Sequence, residues 1–336
     1  MRVAGLDVGT ISTDCCRLSE GRAEAHASWD TAALLATPSL LTDFLEGAET
    51  LAVAAGYGAP LVALQQADAA TLALAHLADP DEREGGIGGF SRLLRVLATL
   101  RSPAVLLPGV IHLASVPAYR KLNRIDMGTA DKLATAALAL TLHGSALDAI
   151  VLELGGAFTA ALAIESGRIV DGIGGSAGPP GAQASGALDG EVAMLAGTLT
   201  KHMIFRGGAA DATHLLGADG AHQAWLEGAA KAVHQLAVSA PRARLVLVSG
   251  RGGNARVSAS LQRLLPAYAV APLGALPGFT PVKAGAQGAA LLADGLLGGH
   301  HAPLIAALDL HGARGTVLDH LVLVDPDAVR RRLGIH

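Results

Sequence analysis

The first residues able to do chemistry are those of MRVAGLDVGTISTD, residues 1–14. Met1 to Leu6 is a short apolar run with β-branched character, Asp7 ends it, and Gly9-Thr10 turns the chain before Ile11 and a second strand-like run, Cys15-Cys16-Arg17-Leu18. The expected product is a β-hairpin with an acid at its tip. Glycine lets backbone N–H groups approach a phosphate closely. Thr10, Ser12 and Thr13 add hydroxyl donors, and Asp7 can hold a hydrated Mg²⁺ beside that phosphate. A single hairpin of this composition is ordinary in structural proteins, so the reading requires a partner.

The partner lies in DAIVLELGGAFTAALA, residues 148–163. An apolar strand, Ala149 to Leu152, again ends in an acid, Glu153. Gly155-Gly156 follow, then Thr159 at the start of another apolar strand, and a third strand, Arg168 to Asp171, comes after the Ser166-Gly167 turn. In the first unit Ala23 to Ser28 is the expected third strand after the Glu20-Gly21 turn, so the three-strand unit occurs twice, which suggests duplicated domains. The two glycine turns are expected to face each other across a cleft and clamp the phosphates of one nucleotide.

Between them, Asn123, Arg124, Asp126, Thr129, Asp131 and Lys132 crowd the start of a helix expected over Ala130 to His143. Thr129 or Gly128 would cap it, where unpaired N–H groups and the helix dipole favour an anion. Arg120, Lys121 and Arg124 add positive charge, although an ordinary capped helix after a salt-bridged loop fits the same residues. Asp171 to Ala187, rich in glycine and proline, is either a linker or a loop shaped around a ligand, and its place inside the second domain favours the loop. The strand Arg244 to Val248 opens into Ser249-Gly250-Arg251-Gly252-Gly253-Asn254 and then a helix, Ala255 to Leu265, which makes room for a base or ribose. His202, His300 and His301 lack metal-ligand spacing and are assigned no chemistry.

The elements that must position these residues follow an α/β order. Thr31 to Glu46 reads as one helix interrupted near Pro38, Leu51 to Ala55 as a strand, Asp81 to Gly89 as an exposed loop, Phe90 to Arg101 as a helix and Ala104 to Leu107 as a strand. Later come helices over Asp189 to His202 and Trp225 to Ser239 and a strand over Tyr268 to Ala271. A helix of small residues from Lys283 is expected near an interdomain hinge, and a tail strand is expected over Val317 to Val324. At 336 residues, two domains are the natural expectation. Charged residues are 16% against roughly 25% in ordinary globular proteins. A net charge of −4 and few aromatic residues argue against a nucleic-acid surface. No transmembrane run or leader peptide is legible, so a cytoplasmic protein with no membrane partner is expected, with Cys15 and Cys16 reduced.

In order, GLDVGT at 5–10, ELGGAFT at 153–159, VLVSGRGG at 246–253 and AGAQGAA at 284–290 resemble the acetate and sugar kinase, Hsp70 and actin superfamily. They match its first phosphate, second phosphate, adenosine and second connecting motifs. YRKLNRIDMGTADKL at 119–133, DGIGG at 171–175 and GALDGE at 186–191 resemble, more narrowly, a prokaryotic family labelled predicted butyrate kinases. The resemblance implies two ribonuclease-H-like domains, 1–145 and 146–300, with an extension at 301–336, closing on ATP and Mg²⁺ and transferring phosphate to a small-molecule acceptor. It also implies a homodimer.

By the same resemblance Asp7 meets Mg²⁺ and its waters, and Gly9, Thr10 and Ser12 meet phosphate. Glu153, Gly155 and Gly156 form the facing grip, while Gly250, Gly252 and Gly253 take adenosine. Arg124 stabilises transferred charge, Asp126 is the acceptor-side acid, and Asn123, Asp131, Lys132, Gly174 and Gly175 lie toward the substrate. Glu153 stands where many members have Asp. A hydroxyl acceptor needs a base, typically worth about 10²–10⁴-fold, whereas a carboxylate such as butyrate does not. Asp126 would repel a carboxylate unless Arg124 or Lys132 intervened. The alternative is an ATP-dependent switch that drives a conformational change read by a protein partner.

Overall fold

A computed structural model of the chain describes residues 1–9, 11–77, 90–280 and 282–335. The loop expected over Asp81–Gly89 and the phosphate contact expected of Thr10 lie outside the described residues. The chain divides into two compact units, one comprising Met1–Ile125, Thr129–Ser145 and Ala275–His336 and the other Asp126–Gly128 and Ala146–Gly274.

In chain order the first unit begins with β1 (Arg2–Val8), β2 (Ser12–Ser19), β3 (Arg22–Asp30), α1 (Thr31–Ala36), α2 (Ser39–Phe44), β4 (Thr50–Ala55) and β5 (Gly58–Ala63). It continues through α3 (Ala69–His76), α4 (Phe90–Ala98), β6 (Ala104–Pro108), α5 (Ala118–Lys121) and α6 (Ala130–His143). The second unit holds β7 (Ala149–Leu154), β8 (Thr159–Glu165), β9 (Arg168–Ile173), α7 (Gly190–Ala196), α8 (Ala209–Ala237), β10 (Leu245–Ser249), α9 (Ala255–Leu264) and β11 (Ala269–Pro272). The chain then returns to the first unit for α10 (Ala284–Leu296), α11 (Ala302–Ala307) and α12 (Pro326–Arg332).

The first sheet has the order β3-β2-β1-β4-β6-β5 and the second β11-β10-β7-β8-β9. In both, three antiparallel strands lead into two parallel ones: β2 and β4 flank β1, and β8 and β10 flank β7. The duplication seen in the hairpins thus extends to the sheets. The first sheet differs by β5, an antiparallel strand after the Gly56-Tyr57 turn that the sequence did not suggest.

Small residues decide how the first unit packs. A β-carbon on Gly5 would overlap the backbone of Ala290, so β1 and α10 meet backbone to backbone. Ten of the packed positions between Gly285 and Gly295 are glycine, alanine, leucine or glutamine, and every residue of that span is buried. Residues 275–336, which the sequence divides between a second domain and an extension, belong to the first unit, and α10 joins it through this contact. On its other side the first unit has a leucine-rich core around Leu6, Leu34, Leu51, Leu93, Leu97 and Leu106, and the second unit has a comparable one around Ile150, Leu152, Leu226, Val233, Leu236, Val246, Val248 and Leu261.

Three local expectations differ from the structure. The helix read over Thr31–Glu46 is two short helices, because Pro38 has no N–H to give and begins the second. The tail over Val317–Val324 is a series of turns rather than a strand, with Val317 and Leu318 buried while Val322 and Leu323 are exposed. The helix read over Asp189–His202 stops at Ala196, with Gly197 at φ 71° after it. Among the described residues, no helix is long and apolar enough to cross a membrane. Cys15 and Cys16 are free and buried, and burial pushes both thiols well above the ordinary range.

Candidate functional site

In the first unit the hairpin closes through the Gly9 N–H, which donates to the Ser12 carbonyl at 3.1 Å. The Thr31 hydroxyl donates to the Gly9 carbonyl at 2.7 Å and lies 3.0 Å from the Thr13 hydroxyl, tying the turn to the start of α1. The β1–β2 register sets Asp7 directly opposite Asp14, and both are buried, at 5% and 4% exposure. Like charges at a directly opposed pair are unfavourable. Lys283, the residue before α10, supplies the compensation. Its ammonium donates to the Ser12 carbonyl at 2.6 Å and lies 3.1 Å from Asp14 Oδ2 and 3.5 Å from Asp7 Oδ1. Burial alone would lower the lysine pKa, but Asp7, Asp14 and Asp131 outweigh it and raise the value.

The other oxygen of Asp7 is directed at the first turn of α10, where a β-carbon on Gly285 would collide with it. That glycine would also bring a β-carbon to 3.1 Å from Asp131, so Asp7 and Asp131 flank one point of the helix. Asp131 accepts from the Thr129 hydroxyl and the Lys132 ammonium, each at 2.5 Å. Burial would raise its pKa, but Lys132, Thr129 and the charge of Lys283 hold the carboxyl below the usual range. Thr129 is the residue that precedes α6, as the sequence suggests, yet its hydroxyl bonds Asp131 rather than capping the helix.

This arrangement does not fit a divalent ion held directly on Asp7. An ammonium already lies against one of its oxygens, a helix N-terminus faces the other, and little of the carboxylate reaches solvent. Among the described residues, no group of three or more His, Cys, Asp or Glu side chains is placed to hold a metal ion. Ser12 is similarly engaged, its hydroxyl donating to Asp14 Oδ2 at 3.1 Å.

The remaining first-unit candidates separate. Arg124 is exposed. Asn123, at φ 52°, uses its carboxamide oxygen to accept from the N–H groups of Val322 and Leu323 at 2.9 and 3.0 Å, which clamps the tail. Lys121 is buried and donates to the Leu113 carbonyl at 2.8 Å, and burial pushes its pKa down.

The second unit brings six of the expected residues together. Gly155 N–H donates to the Phe158 carbonyl at 2.9 Å, closing the hairpin that carries Glu153 and Gly156. β10 pairs with β7 so that Ser249 lies beside Glu153, and the Gly252 N–H donates to the Leu154 carbonyl at 2.8 Å. Gly250, at φ 87°, permits this close turn, which Gly253 completes by donating back to the Gly250 carbonyl at 3.0 Å. Trp225 braces the floor, its indole N–H donating to the Thr159 hydroxyl at 2.9 Å.

The glycine-rich segment after β9 is a folded loop. The N–H groups of Gln183 and Ala184 both donate to the Ala157 carbonyl at 3.1 Å, and Gly175 packs on the Phe158 ring. Asp126 belongs to this unit. Its carboxylate accepts from the Ser176 N–H and hydroxyl, each at 3.0 Å, and from the Gly128 N–H at 3.2 Å, while Gly174 leaves room for it.

Sequence reasoning missed Asp14 and Lys283. The available signals were the second acid seven residues after Asp7 and a lone lysine immediately before AGAQGAA.

Two sheets of matching strand order, each with an acid near the end of its first strand and a glycine turn after it, define a two-domain actin-like ATPase fold. The family model described as "Protein of unknown function (DUF1464)" matches residues 5–323, and the chain belongs to that family. Acetate kinase from Entamoeba histolytica shares the fold at 13% identity and a TM-score of 0.52, over 78% of this chain and 86% of that one. A propionate kinase from Francisella tularensis subsp. tularensis SCHU S4 does so at 15% identity and a TM-score of 0.57, over 79% and 88%. No curated protein matches the sequence.

Proposed function

We propose that the protein is an ATP-dependent phosphotransferase acting on a small carboxylate or hydroxyl acceptor, with a butyrate-like carboxylate favoured. The carrying observation is the repeated hairpin: each unit presents one glycine turn beside a strand-end acid, on a sheet of the same order. Likeness to an acetate kinase and a propionate kinase supports that reading at the level of fold. In this assignment the 153–159 hairpin grips phosphate, the 250–253 turn receives adenosine, and Arg124 stabilises charge on the transferred group.

Asp126 bears on the acceptor. Both of its oxygens accept hydrogen bonds that tie Asp126–Gly128 to the loop at 174–176. Such a carboxylate serves better as a brace than as a proton acceptor, and a carboxylate substrate requires no base. A second reading, an ATP-driven switch recognised by a protein partner, draws on α7, which buries none of its residues and exposes Val192, Met194 and Leu195.

Calorimetric titration with ATP, followed by a mass-spectrometric screen of small acids and alcohols for ATP-dependent phosphate gain, tests the proposal. A phosphorylated acid supports the carboxylate kinase, and a phosphorylated alcohol supports the hydroxyl form and returns Asp126 to the role of base. Slow hydrolysis without a phosphorylated product favours the switch. Absence of ATP binding sinks both.

A further inference from the structure

We propose that Lys283 is the resident cation of the first phosphate hairpin, contacting nucleotide phosphate in the place where a divalent ion held on Asp7 would otherwise stand. The inference rests on the nucleotide-binding reading above and specifies how one end of that nucleotide is recognised.

Three observations carry it. The first is exposure: the Lys283 side chain retains 26%, against 7% for Asp7 and 6% for Asp14, so the lysine is the most open of the three charged side chains at this hairpin. The second is position. A β-carbon on Gly9 would lie 2.7 Å from Lys283 Nζ, which puts the charge directly against the glycine of the turn. The third is donor count. An ammonium has three N–H groups. Among the described residues, the Ser12 carbonyl at 2.6 Å and Asp14 at 3.1 Å engage two of them, and Asp7 at 3.5 Å is beyond ordinary hydrogen-bond length. The third N–H faces only that longer ion pair with Asp7 among the described residues, so it is the donor an incoming anion can take.

The surrounding groups make this a fixed device rather than a mobile surface lysine. Ser12, Asp14 and Asp7 hold the ammonium from the hairpin, and Asp131 contributes attraction from the start of α6. Its side-chain freedom is therefore spent before the ligand arrives, which lowers the cost of binding. The acids keep the lysine charged, and the lysine screens them from an anionic ligand. A metal ion on Asp7 would instead have to displace the ammonium or lie beside it.

The test is calorimetric titration of ATP into the full chain, in Mg²⁺ and separately in EDTA. Wild type is expected to bind in both, with affinities within about tenfold of each other. Lys283→Met should weaken binding in EDTA by about tenfold or more, the scale of one hydrogen bond to a charged group, and Lys283→Arg should recover much of it. Lys283→Met leaves two buried acids facing each other. If it does not fold, the Asp14→Asn/Lys283→Met double variant carries the comparison against Asp14→Asn. Binding by wild type only when Mg²⁺ is present overturns the assignment, as does undiminished binding by the lysine variants in EDTA. Absence of ATP binding under both conditions overturns the nucleotide reading itself and is distinguished from the other failures by the wild-type titration alone.

Discussion

The two hairpins share strand order and differ in charge. At the first, Asp7 faces Asp14 across the strands and Lys283 bridges them; at the second, Glu153 faces Ala160, and no second acid needs compensation at that pair. Two positions before the acid, the first unit has Gly5 and the second Val151. Gly5 admits the backbone of α10, and Lys283, the residue before that helix, reaches the hairpin, whereas the second unit has the buried side chain of Val151 at the matching place. A β-carbon at Gly5 would overlap the Ala290 backbone, so this glycine is needed for α10 to lie against β1.

Replacing Gly5 with Val should erase the distinction most severely. The new side chain would overlap the Ala290 backbone, which cannot rotate away. A loss of about 4 kcal/mol or more from the first unit is expected in urea unfolding. The two tryptophans allow this to be assigned: Trp29 packs on Phe44 in the first unit and Trp225 bonds Thr159 in the second. In single-tryptophan variants, Trp29 fluorescence should shift to lower urea while Trp225 fluorescence shifts less; equal shifts would show the units unfolding as one.

Lys283→Met comes next, at about 3–5 kcal/mol, because it leaves two opposed buried carboxylates without their cation. Adding Asp14→Asn should recover part of the loss, and a double-mutant cycle measures that coupling. Since the folded lysine pKa is raised, its contribution is fully present below the unfolded value near 10.5 and is lost as pH climbs through the folded value. Additive losses in the cycle would remove the ion-pair explanation.

Acid should weaken the first unit through His112. Its ring is buried, Nδ1 accepts from the Gly109 N–H at 3.2 Å, and burial lowers its pKa from 6.5 to about 4. The unfolded imidazole binds a proton near pH 6.5 and the folded one only near pH 4, so stability falls as pH drops through that window. The ceiling is about 3 kcal/mol. Urea midpoints between pH 7 and 4 followed at Trp29 should decline, with a shallower slope in His112→Gln; an unchanged slope would exclude this histidine.

The smallest effect belongs to the second unit. Ser176→Ala removes the hydroxyl donor to Asp126 but keeps the N–H donor, and should cost about 1–2 kcal/mol at Trp225 with little change at Trp29. A larger shift at Trp29 than at Trp225 would contradict the placement of Asp126 in the second unit.

How much of this was legible in the sequence follows from the reach of the interactions. The α6 helix ends at His143 because Gly144, at φ 103°, follows it, a local signal; its start after Thr129 was also legible, although the Thr129 hydroxyl bonds Asp131 rather than capping the helix. The hairpins were visible for the same reason, as acid, glycine and hydroxyl lie within a few residues. Lys283 was not, because its hydrogen bond to Ser12 spans 271 positions and only the fold brings them together. The tail misled by composition: Val317 to Val324 has strand-forming side chains, but Asn123 binds the N–H groups of Val322 and Leu323 that a strand would have used. Asp126 was visible as an acid in a charged segment, while its three donors come from residues before and after the second hairpin and could not be read locally.

The return of residues 275–336 to the first unit has a consequence for synthesis. A ribosome releases β1 long before α10, yet Gly5 and the apolar face of β1 are finished only when that helix arrives. Every segment of the second unit precedes residue 275, so that unit can fold while the chain is still growing. The unit begun first is the one completed last, and a chain stopped near residue 274 would carry a finished second half beside an exposed first sheet. A chain arrested there would leave apolar strand surface uncovered, the kind of surface that drives aggregation.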